Sequence, residues 1–126
     1  LPKAEPLTMG VFTGDAVDSA MLWGRKTFDA IVTDAPYGVV HGSHSGTTRR
    51  RSPTELLGEA IPVWAGQLRH GGALGMSWNT LGLSREHLVA TLSAAGLTPL
   101  DDDLWRQFSH RVDSAIHRDL IVAVKA

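Results

Sequence analysis

The stretch Phe28-Asp29-Ala30-Ile31-Val32-Thr33-Asp34 limits the fold more than any other. It is a near-continuous apolar run with β-branched residues at its centre, the pattern of a strand covered on both faces. It breaks off at Asp34-Ala35-Pro36-Tyr37. Those four residues suit a turn by which a chain leaves a sheet. They also sit where open α/β sheets bind ligands, beyond the carboxyl end of a strand.

The remaining segments fit around that strand. Residues 7–16 (LTMGVFTGDA) read as a short strand ending in a Gly-Asp turn, and residues 16–26 as a brief helix. Residues 38–52 form a Gly-, Ser-, Thr- and His-rich loop too long for a simple connector. Ser52-Pro53-Thr54-Glu55 predicts a helix start, with Ser52 as cap, Pro53 at the first helical position and Glu55 completing a capping box. Leu56, Leu57, Ala60, Ile61, Trp64 and Leu68 recur at helical spacing, so the helix is expected to run towards His70, kinked at Pro62 and ended by Gly71-Gly72. Residues 73–79 (ALGMSWN) follow as a strand. Residues 84–96 form a second helix with Ser84 as cap and Gly96 as stop, and residues 97–112 and 117–126 are two closing strands. Strands alternating with helices predict an α/β fold with a mostly parallel sheet, helices on both faces and a C-terminal antiparallel hairpin.

A chain of 126 residues, 43% apolar and 20% charged, is sized for one globular domain. The net charge of −1 gives no global attraction for a polyanion, although Arg49, Arg50 and Arg51 form a local basic run and Asp101, Asp102 and Asp103 an acidic one. The absence of cysteine excludes disulfides, thiolate metal sites and a cysteine nucleophile, and agrees with a cytoplasmic location. No apolar run approaches the roughly 18 residues needed to span a bilayer, and Leu1 begins no signal peptide. His41 and His44 lack a carboxylate or thiol at ligand spacing, so no metal site is expected there.

FDAIVTDAPYGV, followed by a helix and LRHGGALGMSWN, resembles the second half of a class I S-adenosylmethionine-dependent methyltransferase. Within that class it is most similar to the amino-methyltransferases carrying a D/N-P-P-Y/F motif after the fourth strand. The nearest of these are the tRNA guanosine-N2 methyltransferases, whose motif reads VTDPPYG. The likeness runs from Phe12 to Lys125, and the RDLIVAVK ending resembles the family's seventh strand. It implies a partial Rossmann-like sheet in the family order 3-2-1-4-5-7-6, S-adenosylmethionine as cofactor, and a nucleic-acid partner, tRNA before DNA.

The resemblance also implies roles. A purine exocyclic amine is a poor nucleophile because its lone pair is delocalised into the ring. Asp34 and the carbonyl of Ala35 would accept its two N–H groups, aim the lone pair at the methyl donor and offset the developing positive charge. Pro36 would stiffen the loop and Tyr37 would stack on the base. Ala35 stands where the family has its first proline, which removes one fixed φ angle but not the carbonyl. Asp15 matches the family's contact to the cofactor's adenine amine, with the amide of Ala16 beside it and Asp34 as a further cofactor-side position; Asp15 equally suits a helix N-cap. Arg49, Arg50 and Arg51 would grip phosphates, and Asn79, ending a strand, is a further substrate-side candidate.

The glycine-rich loop that holds the cofactor's methionine end, and the acidic residue that holds its ribose, have no match in these 126 residues. The family's first two strands are likewise absent, which predicts an open apolar edge at the strand containing Ile31. The chain is therefore expected to be the C-terminal part of a longer catalytic domain, with a shifted strand 7–13 or a second copy as other ways to cover that edge. Two other functions stay open. One is a DNA adenine-N6 or cytosine-N4 methyltransferase; the other is a non-catalytic nucleic-acid-binding remnant of the fold.

Overall fold

Asp15 opens the first helical segment by accepting the Val17 N–H at 3.1 Å. It caps a 3-10 turn, Ala16–Asp18, that runs into the short helix α1 (Ser19–Trp23). Here and throughout, a computed structural model describes residues 9–11, 13–35, 52–113 and 116–126. Gly24, at φ 66°, closes α1 with a left-handed turn that disfavours any side chain. Trp23 then meets Phe28 edge-to-face, with ring centroids 5.5 Å apart. Phe28 starts β1 (Phe28–Asp34), the strand anticipated from the apolar run. Of the strand expected over residues 7–13, the described residues 9–11 and 13 carry no regular structure, and the rest of that stretch lies outside the described residues.

Helix α2 (Pro53–Gln67) begins as expected, with the Ser52 hydroxyl accepting the Glu55 N–H at 3.1 Å. Pro62 lies inside it without ending it. The helix stops at Gln67 rather than near His70, because Leu68 already pairs with Phe28 as the first residue of β2 (Leu68–Asn79). Lys125 reaches across from the far end of the chain and donates to the carbonyls of Ala65 and Leu68 at 2.7 and 2.8 Å, so these helix-end acceptors are satisfied. Gly71 and Gly72 form a bulge rather than a helix stop. Between Phe28↔Leu68 and Ala30↔Ala73, β2 takes five steps where β1 takes two. Gly71 has φ 86°, and a Cβ on Gly72 would come within 2.9 Å of two backbone oxygens, of Arg69 and Asp29.

Helix α3 (Arg85–Ala94) is capped by Ser84, which accepts the His87 N–H at 3.1 Å, and Gly96 at φ 88° turns the chain out of it. The long strand expected over residues 97–112 splits in two, β3 (Leu97–Leu100) and β4 (His110–Asp113), separated by turns through the Asp101–Asp103 run. The last strand is β5 (Ile116–Lys125).

The described strands form one α/β sheet in the order β1-β2-β5-β3, with β4 also paired to β5. The sheet is mixed rather than mostly parallel. The β1–β2 ladder is parallel, whereas β5 runs antiparallel to β2, β3 and β4. The reversed strand is thus inserted between β2 and β3, not appended at the edge. Edge strand β1 has no described neighbour on its outer side.

Burial alternates from Gly72 to Trp78 in β2 and from Arg118 to Val124 in β5. Leu74, Met76, Trp78, Ile121 and Ala123 face α2 and α3, where they meet Leu57, Ile61, Ala65, Leu88 and Leu92 in one continuous core. Each of the leucine, isoleucine and methionine side chains contributes about 1.5–3 kcal/mol by leaving water. The opposite face carries Val32, Gly75, Leu120 and Val122, and Val32 remains 85% exposed. Helices cover one face among the described residues, not both.

Candidate functional site

The parallel register sets Asp34, the last residue of β1, directly beside Ser77 of β2. The Ser77 hydroxyl donates to Asp34 Oδ1 at 2.6 Å, and the Ala35 N–H donates to the Ser77 carbonyl at 2.8 Å. From β5, Arg118 Nη2 donates to Asp34 Oδ2 at 3.1 Å. Three strands therefore converge on one carboxylate at the carboxyl end of β1. The site opens onto the uncovered face through a depression of about 460 Å³ whose walls include Val32, Asp34, Ser77, Leu120 and Val122. Ala35, by contrast, is buried at 4% exposure, which fixes the backbone where the chain leaves the sheet.

Asn79, expected on the substrate side, is engaged within the protein. It is buried, and its side-chain oxygen accepts the N–H groups of Leu81 at 3.2 Å and His117 at 3.0 Å. The Thr80 N–H donates to the His117 carbonyl at 2.8 Å, and the Thr80 hydroxyl pairs with His117 Nδ1 at 2.9 Å. These bonds join the end of β2 to the start of β5. They fix the strand position from which Arg118 reaches Asp34, so Asn79 acts as a strut behind the site. Asp15, for its part, serves as the N-cap described above, with Ala16 accepting the Ser19 N–H as the turn closes. Pro36, Tyr37, His41, His44, Arg49, Arg50 and Arg51 lie outside the described residues.

Sequence reasoning missed Ser77 and Arg118. Ser77 left a weak signal as the one hydroxyl in the strand GMSW. Arg118 left none in the periodicity, which cannot tell which strand the last one pairs with.

A second carboxylate–guanidinium group occupies the helix-covered side. Arg85 donates to Asp101 at 2.6 Å, to Asp119 at 3.0 Å and to the Leu120 carbonyl at 3.0 Å, and its guanidinium carbon lies 5.9 Å from the centre of the Trp78 ring. Burial alone would push the Asp101 carboxyl up. Hydrogen bonds from Arg85 and then Arg106, with their charges, outweigh it and hold Asp101 below the usual carboxylate range. Trp78 is fully buried and donates its indole N–H to the Leu83 carbonyl at 2.8 Å.

Among the described residues no helix is long and apolar enough to cross a membrane. Compared with known proteins, the chain matches no family model and no curated protein.

Proposed function

We propose that this chain is part of an S-adenosylmethionine-dependent N-methyltransferase that methylates an exocyclic amine of a nucleic-acid base, with guanosine N2 of tRNA as the first candidate. The observation that carries the reading is the sheet order. With β1 taken as the family's fourth strand, β1-β2-β5-β3 reproduces the 4-5-7-6 half of its sheet, including the reversed strand at the same position. Asp34 then ends the strand on which the resemblance rests, and its carboxylate is already oriented by Ser77.

The residues present fit the cofactor only in part. Asp15 offers an exposed carboxylate suited to an adenine amine, while the described residues before β1 include no glycine-rich loop leading from a strand into a helix to cradle the methionine end. In this reading the remainder of the cofactor site comes from polypeptide other than these residues, and the cofactor supplies the methyl group. The chain's own part is to bind and orient the amine. Asp34 accepts an N–H and offsets the charge that builds on the nitrogen.

Asp34→Ala is expected to abolish methyl transfer to an unmodified RNA by the enzyme that contains this chain, with cofactor affinity changing less than about threefold. Transfer at the wild-type rate would refute the amine clamp. One observation favours the remnant reading instead: both oxygens of Asp34 are engaged by protein donors. Calorimetry with S-adenosylmethionine separates the two, because a non-catalytic remnant binds none even within its parent protein.

A further inference from the structure

Two of the groups that hold Asp34 are unlike donors. The Ser77 hydroxyl is short and fixed to the strand paired with β1, and its bond to Oδ1 is the tighter at 2.6 Å. Arg118 comes from β5, two strands away, on a long side chain that is 32% exposed, to a carboxylate that is 58% exposed. An ion pair this accessible to water is weak and readily exchanged. Its charge also has the wrong sign for the proposed chemistry, since a guanidinium left against Asp34 cancels the field meant for a nitrogen becoming positive.

We infer that Arg118 is a substrate-responsive latch on Asp34. It neutralises the carboxylate before substrate arrives, then moves to a phosphate of the incoming nucleotide and releases Oδ2 to the amine. Ser77 stays in place as the positioning residue that keeps Oδ1 oriented throughout. A phosphate matches the planar fork of a guanidinium better than a single exposed carboxylate oxygen does. The nucleotide thus opens the clamp that its own base will use. This inference rests on the amine-clamp reading, and its test separates the two.

The test titrates the full chain with guanosine, guanosine 5′-monophosphate, inosine 5′-monophosphate, inorganic phosphate and S-adenosylmethionine. Wild type is expected to prefer the guanosine nucleotide to guanosine. Arg118→Gln is expected to tighten guanosine roughly three- to fivefold, the weight of an exposed pair, and to erase the nucleotide's advantage. Ser77→Ala should act with the opposite sign and weaken both, which a merely structural role for the two donors does not give. Arg118→Lys, which keeps the charge without the fork, should retain part of the phosphate preference and serves as the folded control if the Gln variant unfolds. Unchanged guanosine binding in Arg118→Gln, or no nucleotide preference in wild type, overturns the latch. An effect of Arg118→Gln on S-adenosylmethionine and not on nucleotide or inorganic phosphate overturns the assignment to phosphate. Equal binding of the inosine and guanosine nucleotides, which differ by the amine, instead overturns the clamp beneath it.

Discussion

Arg118 and Asp119 are neighbours on β5, yet they belong to two ion-pair systems on opposite faces of one sheet. Asp119 faces the helices and pairs with Arg85, with side-chain exposures of 7% and 9%. Arg118 faces the open side and pairs with Asp34 at 32% and 58%. The donor and acceptor types are the same and the separations are alike, 3.0 and 3.1 Å. What differs is water. Away from it, a charge without its partner is costly, so the Arg85 group is locked. In contact with it, either partner can be exchanged for solvent or a ligand at little cost. The same chemistry is a structural fastener on one face and a movable part on the other.

The largest effect that would test this contrast is on the covered face. Arg85→Ala leaves Asp119 buried and uncompensated and is expected to cost about 3–5 kcal/mol in urea unfolding. Replacing the pair together, Arg85→Met with Asp119→Leu, should recover most of that loss. If it does not, Arg85 acts mainly through its bonds to Asp101 and the Leu120 carbonyl. Next, Leu92→Ala on the covered face should cost about 2–5 kcal/mol, while Val32→Ser on the open face should stay within about 0.5 kcal/mol. A large loss at Val32 would mean that something covers that face.

Acid provides a graded probe of the fastener. Asp101 has its folded pKa depressed by Arg85 and Arg106. The stability it contributes is therefore complete above its unfolded value, near 3.8, and is lost as pH falls through the folded value. Thermal melts of wild type and Asp101→Asn should differ most near neutrality and converge below about pH 4. A gap that stays constant down to acid would assign the role of Asp101 to shape rather than charge. The smallest effect belongs to the exchangeable pair: Arg118→Gln should change unfolding free energy by about 0–1 kcal/mol. A loss as large as that of Arg85→Ala would remove the distinction between the two faces.

Much of the fold was legible because it depends on local rules. The capped starts at Ser52 and Ser84, the stop at Gly96 and the strand ending at Asp34 all follow from side chains acting on backbone within a turn or two. Local rules misled where a distant partner decided. Gly71-Gly72 read as a helix stop, but the helix ends earlier because Leu68 pairs with Phe28 and Lys125 takes the terminal carbonyls. The stretch 97–112 read as one strand, but Arg85 and Arg106 tie Asp101 into a turn in its midst.

The candidate site divides in the same way. Asp34 and Ala35 stood out by sequence alone, because a carboxylate at the end of an apolar strand is both a strand stop and a usable acceptor. Ser77 and Arg118 became part of the site only through strand order and register, which bring residues 43 and 84 positions away to the same carboxylate. Alternation fixes that adjacent residues face opposite sides, and so the sequence by itself separated Arg118 from Asp119. Only the packed helices decided which of those sides would be dry, and with it which ion pair is held and which is exchangeable.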